Sequence, residues 1–368
     1  MFFLRTFAGS FIVAIAGLIA GFLYGGSTGL ALTAILAVLE VSLSFDNAVV
    51  NATVLVRMSP FWQKIFLTVG VAIAVFGMRL LFPLLIVGIT AKLSPSRAID
   101  LALKGGSADK HGTYGYLLHQ AHPAIAAFGG IFLLMIFLDF IFEEREITWL
   151  TWLERPLSRV GKLDQFSVII ALVVLAVSAY TLAPENKIST VLASGVLGLA
   201  TYIAVSSLDS LFEQEEDVEG ADEDDLEKTL ERKSAMHVIG KQAFFLFLYL
   251  EVLDASFSFD GVTGAFAITS DPIIIAIGLG VGAMFIRSLT VYLVRKRTLS
   301  EYVYLEHGAM WAIGALAIIL MLTMKYDVPE VVTGLIGVAF IAAALASSIA
   351  RNRRNAGEPE PDRATATV

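Results

Sequence analysis

The chain of 368 residues contains no cysteine, which excludes disulfides, thiolate metal ligands and thiol redox chemistry. Charge is scarce too. Asp, Glu, Lys and Arg make up only 16% of the residues, against roughly 25% in soluble globular domains. A metal site must therefore be built from oxygen, helped at most by the 5 histidines. No glycine-rich nucleotide loop, catalytic triad or HExxH pattern is present, so ATP-driven pumping and metalloprotease chemistry have no residues to carry them. An enzyme is not expected.

What the chain has in excess is apolar: 57% hydrophobic residues and a mean hydropathy of +0.75. The excess falls in blocks of about 18–30 residues, long enough to cross a ~30 Å hydrocarbon core. The expected fold is all-α, a polytopic membrane protein of about ten transmembrane helices whose partner is the lipid bilayer. A soluble enzyme and a nucleic-acid binder are excluded. The spans are expected near Phe7–Leu23, Gly29–Val56, Trp62–Thr90, Pro123–Phe142 and Phe166–Leu182. The later five fall near Ile188–Leu211, Ala235–Thr269, Pro272–Val294, Gly308–Met324 and Val328–Ala350. The first, preceded by Arg5, is read as a retained helix rather than a signal peptide.

With ten spans, 17 Lys and Arg residues fall on the side of both termini and 6 on the other. The positive-inside rule then places both termini in the cytoplasm of an inner membrane. Ala91–His122 faces outward in this scheme. Glu143–Gln165, with Trp149, Trp152 and Pro156, suits an interfacial helix. Glu213–Glu227 is a cytoplasmic acidic run with ten carboxylates in fifteen residues, and the tail from 351 to 368 reads as disordered.

Two segments align without gaps. Val38-Leu-Glu40-Val-Ser-Leu-Ser-Phe-Asp46 and Val252-Leu-Asp254-Ala-Ser-Phe-Ser-Phe-Asp260 differ only at Glu40/Asp254, Val41/Ala255 and Leu43/Phe257. Each following span carries one arginine, Arg79 or Arg287. The third spans correspond as His122-Pro-Ala-Ile-Ala-Ala-Phe-Gly and His307-Gly-Ala-Met-Trp-Ala-Ile-Gly. Five crossings separate the units, so the two three-helix repeats are expected to be inverted, as in many secondary transporters. The organisation that follows has an extra helix at 1–28 and a first repeat at 29–143. An interfacial segment with two linking helices occupies 144–211 and the acidic loop 212–234. The second repeat covers 235–324, a last helix 325–350 and the tail 351–368.

Glu40, Asp46, Asp254 and Asp260 lie in otherwise apolar spans, where each ionised Asp costs roughly 2.5–3.5 kcal/mol on insertion scales. Pairing with Arg79 and Arg287 neutralises two of the four charges. One divalent cation or two protons would neutralise the rest. Asp139 and Glu251 are placed nearer the interfaces and stand outside this balance.

At 100° per residue Glu40, Ser44, Asn47 and Asn51 form one polar stripe, while Ser42 and Asp46 lie more than 100° away. Such a helix must be buried between other spans or unwound. Ser-Phe-Asp-Asn and Ser-Phe-Asp-Gly both suit a break. Broken helices expose carbonyls that, with carboxylates, hydroxyls such as Ser44 and Ser258, and amides, make an oxygen site for a hard divalent ion. His119 and His122, at i and i+3, are read as capping or hydrogen-bonding groups with a metal-ligand role as the alternative. The Gly129-Gly130 pair is read as a close helix contact.

The paired motifs from Glu40 to Asn47 and from Asp254 to Asp260 resemble those of the TerC integral membrane family. The stretches His122-Pro-Ala-Ile-Ala-Ala-Phe-Gly-Gly and Tyr304-Leu-Glu-His307-Gly resemble its bacterial branch known as domain-of-unknown-function family 475. The resemblance covers about Leu30–Met324. TerC-like proteins are associated with tellurium resistance and manganese export. The resemblance implies a cation, Mn²⁺ foremost, bound by Glu40, Asp46, Asn47, Asp254 and Asp260, with Ser44, Ser258, Asn51, Arg79 and Arg287 in support. Gly261 stands where some relatives carry a polar residue, which makes the site asymmetric.

The expected function is a secondary transporter exporting a divalent cation in exchange for protons, with no permanently bound cofactor. A non-transporting membrane scaffold in metal or tellurite stress is the alternative, and an intramembrane enzyme a weaker one.

Overall fold

The computed structural model describes residues 2–70, 72–106, 109–161, 165–219, 240–269, 271–295 and 301–355. The side chains of Asp46, Arg79, Ser258 and Asp260, those of the acidic run, and the tail from 356 lie outside the described part. The architecture is all-helical, with no strand among the described residues. In chain order the helices are α1 (Phe2–Leu43), α2 (Phe45–Leu55), α3 (Pro60–Ile65), α4 (Phe82–Thr90), α5 (Pro95–Lys104), α6 (Tyr114–Phe142) and α7 (Thr151–Val160). They continue as α8 (Phe166–Thr181), α9 (Ile188–Glu219), α10 (Gly240–Ile268), α11 (Pro272–Arg295), α12 (Leu305–Leu322) and α13 (Glu330–Asn355). Wide π-type turns over Phe66–Gly70 and Ile73–Leu81 fill the stretch between α3 and α4.

Seven segments are long and apolar enough to cross a membrane: Thr6–Leu43, Pro60–Gly77, Tyr114–Phe142, Glu185–Ser207, Pro272–Arg295, Leu305–Leu322 and Val331–Arg354. The chain is thus a multi-pass membrane protein by helix length and composition. Three physical reasons separate this number from ten. The first two expected spans form one broken helix, Phe166–Thr181 is short, and α10 carries acids in its middle.

The break in α1 falls at Gly26, whose φ of 62° and ψ of −148° disfavour any side chain. The chain reverses there, and Gly21 and Gly29 approach too closely across the bend for either to carry a Cβ. Both legs pack on α11 in opposite register. On the first leg Phe7 meets Tyr292, Ser10 bonds Met284 and Ser288, and Gly17 meets Val281. On the second, Gly29 meets Ile274, Leu36 meets Gly278 and Glu40 meets Gly282. The first leg therefore runs antiparallel to α11 and the second parallel to it.

Helix α6 is the buried centre of the bundle. It begins at Tyr114 with Thr113 as its cap, the Thr113 hydroxyl accepting the Tyr116 N–H at 3.2 Å. The span expected to start at Pro123 therefore starts earlier, with Pro123 inside the helix. Proline deprives the helix of a single backbone bond there, which burial of the surrounding turns offsets. Against α12, Gly130 lies by Ala317 and Met321, the Phe137 and Trp311 rings are 5.0 Å apart, and Phe140 meets His307 at 5.3 Å. These pairings make α6 and α12 antiparallel. Of the glycine pair, Gly130 serves the close helix contact, whereas a Cβ at Gly129 would meet Ser256 of α10 at an ordinary 3.6 Å. Helix α9 continues to Glu219, so the acidic run expected as loop from 212 begins as helix.

Candidate cation site

The first motif interrupts its helix, as its sequence suggests. Helix α1 ends at Leu43, Ser44 takes φ −100° and ψ 16°, and α2 resumes at Phe45. The interruption is a single residue, since Ser44 N–H still donates to the Glu40 carbonyl at 2.9 Å. The Ser44 hydroxyl donates to Glu40 Oε1 at 3.0 Å. Glu40, Ser44, Asn47 and Asn51 are all buried, so the polar stripe turns inward as a whole. Neither amide atom of Asn51 has a hydrogen-bond partner. Leaving a buried polar group unmet costs about 1–3 kcal/mol, which marks this stripe as built for something other than stability. Ser42 faces outward and satisfies itself on the Val38 carbonyl at 2.8 Å.

The second motif does not break. Helix α10 runs unbroken through Asp254 and Asp260 to Ile268, which corrects the expectation of unwinding at Ser-Phe-Asp-Gly. Gly261 has a different use. A Cβ at Gly261 would lie 3.0 Å from Glu40 Oε2, and one at Gly282 of α11 would overlap the Glu40 side chain. The acid of the first motif is thus seated between a glycine of α10 and a glycine of α11. This is a close approach rather than a turn.

Two turns before Gly261, on the same face of α10, Asp254 is held by Arg287 of α11, Nη2 to Oδ2 at 3.3 Å. The same Nη2 donates to the Gly70 carbonyl at 3.3 Å and lies 3.7 Å from Glu251 Oε1. The guanidinium stacks over the Phe66 ring with 3.8 Å between Cζ and the ring centre. Glu251 is buried beside Arg287, one helical turn before Asp254. Two carboxylates around one arginine form a low-dielectric cluster in which losing the arginine would strand both acids.

Among the described residues, no three His, Asp or Glu side chains are grouped to hold a metal ion. Asp46 and Asp260 are not among these residues. Glu40, Ser44, Asn47 and Asn51 share one buried stripe, and Asp254 and Arg287 form one pair. Ser258, Arg79, Asp46 and Asp260 lie on or beside these elements by backbone position alone. His119 and His122 lie on α6.

Sequence reasoning passed over two features. A cavity of about 480 Å³ opens at the Arg57 end of α2, lined by Thr53, Arg57, Asp139, Arg145, Tyr249 and Glu306. The Tyr202 hydroxyl donates to Asp139 at 2.5 Å within this region. Beside it, buried Glu154 of α7 accepts the N–H groups of Trp149 at 3.0 Å and Leu150 at 3.2 Å, and Trp311 Nε1 at 3.4 Å. His307 Nε2 lies 3.7 Å from Glu154 and 2.9 Å from the Ile147 carbonyl. An acid in the first turn of an amphipathic helix was a legible signal for Glu154; nothing in the sequence pointed to Gly70, Phe66 or Gly282.

No curated protein and no solved structure matches the chain. Residues 45–355 match the family described as "Protein of unknown function (DUF475)". That stretch contains Asp46, Asn47, Asp254, Asp260 and Arg287, and begins just after Glu40 and Ser44. Covering most of the chain, the match shows that this protein belongs to the DUF475 family.

Proposed function

We propose that the protein is a secondary transporter of the inner membrane that crosses the bilayer ten times and exports a divalent metal cation, with Mn²⁺ the leading substrate, in exchange for protons. Both termini are cytoplasmic in this reading, and the two three-helix repeats are inverted. One observation carries it. The Glu40 carboxylate, buried and bonded by Ser44, is seated against Gly261, next in sequence to Asp260. The acidic motifs of the two units therefore meet away from solvent, where uncompensated carboxylates are costly and a hard cation or protons relieve them.

Further support comes from register. The third helices of the two units, α6 and α12, run antiparallel, which is the relation an inverted repeat requires. The cavity at the Arg57 end, with Asp139 and Glu306 in its wall, offers a polar approach from the side that carries the excess of Lys and Arg. Protons and metal compete for the same oxygens, so binding one releases the other, and mutual exclusion couples their movements. The TerC-like motifs point to the same substrate class.

The test is Mn²⁺ flux into proteoliposomes containing the full chain, with Asp46→Asn and Asp260→Asn as variants. Each substitution keeps shape and removes one charge, so both proteins should accumulate normally and fail to move Mn²⁺. Normal flux through the double variant would refute the cation site.

A further inference from the structure

Arg287 raises a difficulty that the transport reading alone does not meet. A guanidinium on Asp254 and a metal ion on Asp254 compete for the same oxygens. Both are cations, and at such separations in a buried site their repulsion amounts to several kcal/mol. Either Asp254 never binds metal, or Arg287 has somewhere else to go.

The structure supplies that place. Glu251 lies one turn before Asp254 on the same face of α10, the i, i+3 spacing that puts two side chains side by side. Its nearer oxygen is 3.7 Å from Arg287 Nη2, against 3.3 Å for Asp254. Neither oxygen of Glu251 accepts a hydrogen bond, and Arg287 Nη1 donates none, although all these atoms are buried. An acceptor and a donor thus stand unmet within reach of one another. Unmet buried groups of this kind are rare in settled structures.

The surroundings keep the movement open while holding the arginine in place. The Phe66 ring lies beneath the guanidinium, and the Gly70 carbonyl anchors Nη2. A Cβ at Gly70 would come within 2.6 Å of Glu251 Oε1 and 3.2 Å of Arg287 Nη1. Glycine at this position leaves the space between acid and arginine clear.

We propose that Arg287 is a tethered counter-cation, which occupies Asp254 when no metal is bound and passes to Glu251 when the substrate cation takes Asp254. The proposal rests on Asp254 being a cation ligand, as in the transport reading. No covalent step is involved. Charge stays balanced, because Arg287 neutralises whichever carboxylate the metal leaves. Selectivity follows as well. Only an ion that binds Asp254 better than a guanidinium does can displace it, which favours divalent over monovalent cations. Arg287 and Glu251 are positioning residues; neither touches the metal.

The experiment measures Mn²⁺ binding and Mn²⁺ flux by the full-length protein in proteoliposomes, for Glu251→Gln, Arg287→Gln, their double variant and Asp254→Asn. Glu251→Gln leaves Arg287 paired with Asp254, keeps the fold, and should weaken Mn²⁺ binding about tenfold, a coupling typical of residues in contact. Arg287→Gln should bind Mn²⁺ more tightly, release it more slowly, and lose discrimination against Na⁺. In the Arg287→Gln background the Glu251→Gln change should have no effect, since Glu251 acts through the arginine. An undiminished Glu251 effect in that background overturns the proposal, as does unchanged binding by Glu251→Gln alone. Should Arg287→Gln fail to accumulate, the binding of Glu251→Gln decides the matter by itself. Asp254→Asn separates the two levels. Unchanged Mn²⁺ binding there refutes Asp254 as a ligand. Lost binding there, with Glu251→Gln unaffected, refutes only the transfer of Arg287.

Discussion

Glu40 and Gly261 touch across the two halves of the chain: a methyl group on Gly261 would lie 3.0 Å from Glu40 Oε2. More than two hundred residues separate them in sequence. The absent side chain at 261 is therefore part of how Glu40 is held.

Gly261→Ala should ask Glu40 to give by a few tenths of an ångström, whereas Gly261→Val should push its carboxylate off the second motif. Flux of Mn²⁺ should fall modestly for Ala and collapse for Val, with both proteins present at normal levels in the membrane. Equal, near-normal flux for the two would separate Glu40 from the site.

Inversion predicts that the ends of α2 and α10 face opposite sides of the membrane. The chain is free of cysteine, so single replacements at the exposed Arg57 and the half-buried Thr269 report without background. An impermeant maleimide should label Arg57→Cys from the cytoplasmic side and Thr269→Cys from the other. Labelling of both from one side removes the inverted arrangement.

Gly26 carries the reversal of α1 at φ 62°, ψ −148°. Gly26→Ala should cost about 1–3 kcal/mol, the usual price of forcing a side chain into such backbone. A lowered melting temperature in detergent, with no shift for Gly9→Ala, where a Cβ meets open space, checks it.

Glu154→Gln keeps the size of the side chain but turns a charge-assisted acceptor of three N–H groups into a neutral amide. The variant should lose about 1–3 kcal/mol of stability. Proteolysis of the segment from 143 to 151 should then speed up, since Glu154 helps His307 and Arg145 tie that turn to α12. An unchanged cleavage pattern would show that the apolar face of α7 suffices.

Much of this architecture was legible because a bilayer demands long apolar runs, and because duplicated motifs announce themselves by spacing. The break at Ser44 and the burial of Glu40, Ser44, Asn47 and Asn51 both follow from a stripe too polar for lipid. The unbroken second motif was misread because Gly261 admits two explanations, a bend or a close neighbour. Only the position of Glu40 decides between them. The pairing of Glu251 with Arg287 was not legible for a related reason. Hydropathy tells how deep a residue lies along its own helix, and says nothing of a partner such as Arg287 on the next. Gly70 and Phe66, which complete that cluster, sit in π-type turns that no periodicity announces.

The hairpin of α1 has one more consequence, for how the molecule is made. Its two legs rest on α11, which leaves the ribosome some 250 residues later. Until then the first helices have no permanent neighbour, and lipid or an insertion chaperone must stand in for it. The two legs of α1 are thus made well before the helix they rest on, and settle late. A truncation that removes α11 should leave the N-terminal hairpin inserted but open to degradation.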